Sequence, residues 1–164
     1  MPDEQRTDDS DPPVRRPFDP DVDLRLARPR RHGRDATMLA TIAAGGATGS
    51  AARYLIGQGW PTPSGAFPSS TLAINVVGGA LIGVLMVLIT EVWSRQRLIR
   101  PFLGTGVLGG FTTFSTYTVD IQRLVAGEHV ATALLYLLLT PIGALLAVWA
   151  TSTASRRLVN WRIH

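Results

Sequence analysis

The chain has 164 residues, a formal net charge of +4, a calculated isoelectric point of about 10.6, no lysine and no cysteine. The lack of cysteine excludes disulfides and thiolate metal sites, and arginines gathered at the ends of apolar runs form no clustered patch for nucleic acid. Of 16 basic and 12 acidic residues, eight and nine fall within residues 1–35, so a polar tail precedes an apolar domain.

Residues 1–35 combine proline, aspartate and arginine with few large apolar groups, which bury too little surface to offset chain entropy. The tail is expected to be disordered and to carry no cleavable leader. Its last arginines, Arg28, Arg30, Arg31 and Arg34, either contact anionic lipid head groups or act only as an orientation signal. Behind the tail, residues 36–155 hold four predicted membrane spans, each long enough for the roughly twenty residues that cross a bilayer. The first, about 36–57, contains GGATGSAARY. The second, 72–89, holds a single strongly polar residue, Asn75.

The third, about 98–124, is interrupted by GTGVLGGFTTFSTYTVD. The fourth, 131–150, is continuous apart from Tyr136, Thr140 and Pro141. Residues 156–164 form a short basic C-terminal segment. The resulting fold class is an all-α membrane protein of four transmembrane helices with the third one broken. The turn-rich connection 58–70 carries Trp60 and Phe67, which suit a membrane interface. Ten arginines (Arg28, Arg30, Arg31, Arg34, Arg95, Arg97, Arg100, Arg156, Arg157 and Arg162) fall on one side of such an arrangement. Only Arg53 and Arg123 fall on the other, which predicts both termini in the cytoplasm.

The interrupted stretch is the strongest functional signal. Backbone freed from helical pairing survives at membrane depth only where protein, water or an ion satisfies it. Thr112, Thr113, Ser115 and Thr116 supply hydroxyls there, alternating with Phe111, Phe114 and Tyr117. Ring edges carry partial positive charge, so an edge-on pair from Phe114 and Tyr117 favours an anion without trapping it; plain core packing is the competing reading. Gly109 and Gly110 are permissive at unusual backbone angles, which would let carbonyl oxygens turn inward toward a cation. Asn75 either donates to an anion or makes an interhelical hydrogen bond. Arg53 either draws anions to a pore mouth or snorkels to the interface, and Asp120 pairs with an arginine, sits at a vestibule or is a solvated helix end. No nucleophile, base or metal-ligand spacing is apparent, so an enzyme is not expected.

Taken together, GGATGSAARY, TLAINVVGGALIG and GVLGGFTTFSTYTVD closely resemble the fluoride channels of the CrcB (Fluc) family over about residues 39–152. The resemblance implies antiparallel dimers in the plasma membrane, with two pores that export fluoride passively and relieve its toxicity. It also implies a structural, non-transported sodium ion held by the main-chain carbonyls of Gly109 and Thr112. Asn75 is then the pore asparagine and Phe114 and Tyr117 the pore aromatics. Ser115 and Thr116 join the polar lining, which Tyr136 and Thr140 continue on the fourth helix. Tyr117 departs from the phenylalanine usual at its position. The arginine bias departs from what dual insertion favours, so the partner is either a second copy or an oppositely oriented paralogue. A proton-coupled exporter, which wants a carboxylate deep in a span, and a non-conducting membrane scaffold remain alternative classes.

Overall fold

The computed structural model describes residues 32–92 and 98–163; the expectations for the tail through residue 31 and for Arg95 and Arg97 lie outside the described residues. Among the described residues all regular secondary structure is helical. The first helix, α1 (His32–Gly59), begins a turn ahead of the expected span. It tolerates polar residues because Thr37, Thr41 and Thr48 each donate a hydroxyl proton to the carbonyl four residues earlier, at 2.9, 2.7 and 2.9 Å. Those hydroxyls are satisfied inside the helix and need no water.

Helix α2 (Ser69–Val87) follows Pro68, whose carbonyl accepts the first helical bond from Leu72 at 3.1 Å. It runs on into a wider π-type turn, Leu88–Val92. Helix α3 (Arg100–Leu108) is wide-turned throughout, and the Gly109 N–H reaches the Gly104 carbonyl five residues back. One ordinary turn, Gly109–Phe111, continues it. The backbone is then extended at two residues, Thr112 (φ −73°, ψ 152°) and Thr113 (φ −145°, ψ 121°), before α4 (Phe114–Ala126) starts.

The freedom that the double glycine offers is not used at Gly109. Gly109 is plainly helical at φ −64°, ψ −35°, so the departure from helical geometry falls on the threonines that follow. Gly110 is needed for another reason: a Cβ there would collide with the backbone of Gly46 on α1. Its smallness lets two helix backbones touch.

Helix α5 (Val130–Ile163) runs on past the expected fourth span to Ile163 and keeps Pro141 within it. A tight connection precedes it, in which Glu128 adopts φ 62° and the His129 N–H bonds the Leu124 carbonyl at 2.8 Å. The helices Ser69–Glu91 and Val130–Val159 are long and apolar enough to cross a membrane. They pack closely through small residues, with Gly79 against the Ala144 carbonyl and Thr151 donating to the Ala80 carbonyl at 2.9 Å. A buried cluster of Tyr117, Leu124, Ala133 and Tyr136 ties α4 to α5. Large apolar side chains elsewhere on α5 face outward, including Leu138, Leu145 and Trp149. An apolar exterior of this extent is stable only against lipid or a partner surface.

Candidate functional site

The interruption before α4 is built by redirected hydrogen bonds. In a continuous helix the Thr113 N–H would return to the Gly109 carbonyl. It donates instead to Asn75 Oδ1 at 2.9 Å, while Asn75 Nδ2 donates to the Thr113 carbonyl at 3.0 Å. The Asn75 amide thus grips both peptide groups of one residue on the neighbouring segment. The Thr116 N–H would likewise return to Thr112, but donates to Thr113 Oγ1 at 3.1 Å, the usual cap of a helix start. Gly109 and Thr112 therefore lose the helical donors to their carbonyls.

Thr113 forms part of two recesses. The first, of about 460 Å³, lies between α2, α4 and α5 and is walled by Asn75, Thr112, Phe114, Tyr117, Thr140 and Pro141, with further apolar side chains. Phe114 stands at its lip, 79% exposed, and its ring centre is 5.7 Å from that of Tyr117. Tyr117 is buried, and its hydroxyl donates to the Leu137 carbonyl on α5 at 2.7 Å. The aromatic row continues through Tyr136 (5.3 Å) to Phe67 (5.4 Å, edge-on). Thr140 is 4% exposed, and its hydroxyl has no hydrogen-bond partner.

The second recess, of about 380 Å³, is the more polar. Arg53, Gln58, Ser70, Thr71 and Thr116 line it, and an Arg53 Nη1 proton reaches Thr116 Oγ1 at 3.5 Å. The buried Arg53 Nε has no partner. Buried donors without partners are uncommon and mark places where a ligand or water completes the bonding. Each such group belongs to a residue that lines one of the recesses, and with the second amide proton of Asn75 the arrangement can take an anion that accepts hydrogen bonds.

Of the residues singled out from sequence, Asn75, Phe114, Tyr117, Thr140 and Thr112 meet at the first recess, and Arg53 and Thr116 at the second. Ser115 is exposed and lies 3.3 Å from Thr113 Oγ1. Tyr136 is fully buried behind Tyr117 and lines neither recess; its hydroxyl donates to Asp120 Oδ2 at 3.4 Å. Gly109 lies one turn before the extended pair. Asp120 also accepts from Thr71 at 2.8 Å and approaches the exposed Arg123 at 3.8 Å.

Sequence reasoning missed Thr71 and the Leu137 carbonyl, and named the Thr113 hydroxyl without its capping role. Thr71 precedes Asn75 by one helical turn and shares its face, a spacing that was readable. Thr113 stands three residues ahead of Thr116, the spacing of a helix cap, which was also readable. The Leu137 carbonyl carries no residue-type signal of its own.

A profile of the family described as "CrcB-like protein, Camphor Resistance (CrcB)" matches residues 40–152. The chain is 54% identical over 141 residues to "Fluoride-specific ion channel FluC 1" of Streptomyces coelicolor, covering 85% of this chain and 92% of that one. It is 55% identical over 125 residues to "Fluoride-specific ion channel FluC 2" of Streptomyces avermitilis, covering 74% and 78%. Against "Fluoride-specific ion channel FluC 2" of Nocardia farcinica the identity is 48% over 130 residues, covering 74% and 93%.

Proposed function

The chain belongs to the CrcB-like family, and from that premise we infer that it is a fluoride-specific ion channel, not an enzyme, lowering internal fluoride by passive export. The observation that carries the reading is the pair of recesses meeting at Thr113, each lined by a residue with a buried polar group left without a partner. Fluoride is small and holds its water tightly, so a path must replace that water with many donors. Asn75 keeps one amide proton beyond the bond to Thr113, and Thr140 and the edges of Phe114 and Tyr117 add to it. Among the described residues the first recess has no arginine, lysine or histidine in its wall, so an ion there is not held too tightly to leave.

We place the channel in the plasma membrane as a multi-pass protein, with α3 and α4 acting as one interrupted crossing. The working unit is an antiparallel dimer. The first recess is open on the subunit surface, and an opposed subunit would roof it into a closed path. A strong arginine bias supports an oppositely oriented paralogue as the partner over a second copy. Gly109 and Thr112 would hold a structural sodium ion through their carbonyls. The diversion of the Thr113 and Thr116 N–H groups supports this, because it frees both oxygens from helical bonding. Bound there, the ion would neutralise inward carbonyl dipoles at the dimer centre.

Neither alternative class gains support. A proton-coupled exporter wants an unpartnered carboxylate deep in a span, and Asp120 is already bonded to Thr71 and Tyr136. A scaffold has no use for unpaired buried donors.

The decisive experiment is anion efflux from liposomes containing the purified chain, alone and co-reconstituted with an oppositely inserting homologue. Rapid fluoride release with chloride retained is expected in at least one of the two preparations. Equal release of both ions, or release of neither in both preparations, overturns the assignment.

A further inference from the structure

Pro141 stands inside α5, where its nitrogen carries no hydrogen. In a helix that nitrogen would serve the carbonyl of Leu137, four residues back. The Leu137 carbonyl accepts from the Tyr117 hydroxyl instead, at 2.7 Å. Tyr117 is 7% exposed, and both it and Pro141 wall the first recess. A carbonyl left without a donor at this place would be costly. It would also leave a negative dipole end beside two residues that wall the recess.

We propose that Tyr117 is a positioning residue whose hydroxyl replaces the N–H that Pro141 lacks, quieting the Leu137 carbonyl beside the anion recess. This role rests on the fluoride-channel reading of that recess. It also says what the tyrosine does not do. A hydroxyl has one proton to give, and that proton is committed to Leu137, so the Tyr117 hydroxyl adds no fluoride donor to the path and only the ring edge remains. Its ring is pinned against α5 by the same bond and by the 5.3 Å approach to Tyr136.

The coupling is tested with full-length chains carrying Tyr117→Phe, Pro141→Ala, or both. Fluoride flux is measured per assembled channel in liposomes, together with the fluoride-to-chloride permeability ratio. Tyr117→Phe is expected to lower fluoride flux about tenfold, the scale set by unpairing one buried acceptor. The double variant is expected to return to within about twofold of Pro141→Ala, because the alanine N–H then serves Leu137. Unchanged flux in Tyr117→Phe, or an equal loss in both backgrounds, overturns the role. Should Tyr117→Phe assemble poorly, the thermal midpoint of detergent-solubilised protein reads the same coupling. The drop must be repaired by Pro141→Ala, and an unrepaired drop overturns it. An unmodified chain that passes no fluoride in either preparation sinks the channel assignment itself, whereas normal unmodified flux with unrepaired losses sinks only this role.

Discussion

Asn75 and Phe114 wall the same recess under opposite structural constraints. Asn75 bonds both peptide groups of Thr113, so it acts on the backbone and on the ion path at once. Phe114 is 79% exposed, and its ring centre lies 5.7 Å from that of Tyr117. Truncating them should therefore separate stability from conduction. Asn75→Ala is expected to cost about 1–3 kcal/mol of stability and at least about a hundredfold in flux. Phe114→Ala should leave subunit stability within about 0.5 kcal/mol while still abolishing selective flux. Thermal unfolding and fluoride efflux on the same preparations check both. A Phe114→Ala chain that still conducts selectively would remove that ring from the pore.

Among the elements, the long apolar runs were legible because spans are written as composition, and α2 and α5 satisfy that rule outright. The extended pair before α4 was only half legible. Polar residues and a double glycine marked the neighbourhood, but the position was decided by Asn75, 38 residues away, which captures the Thr113 N–H. No local pattern records a tertiary competitor. The wide turns of α3 were not legible either, since π-type bonding has no composition of its own. Pro141 did announce a missing donor, yet its substitute on Tyr117 could only be found once α4 and α5 were placed side by side. Where helices touch backbone to backbone, the expected consequence is sharp. Gly110→Ala drives a methyl into Gly46 and should destabilise the protein by about 1–3 kcal/mol. Gly46→Ala meets open space and should be neutral or slightly stabilising. Thermal midpoints in detergent compare the two; equal losses would mean that α1 and α3 do not pack as described.

Across the whole molecule, an apolar exterior and a charge bias of ten arginines to two argue for one preferred insertion. With no native cysteine, a single exposed Ser64→Cys in the loop before α2 reports orientation cleanly. A membrane-impermeant maleimide applied from outside is expected to label nearly all chains. Labelling of half would establish mixed insertion and a self-sufficient homodimer. The architecture also limits how such a channel can drift over generations. Thr113 caps α4 with its hydroxyl while its side chain borders both chambers, so any replacement there alters the helix start and the passage together. Lineages tuning throughput would find that position nearly frozen. Phe114 can be altered without unravelling the helix start, so the limits on that ring are set by conduction alone.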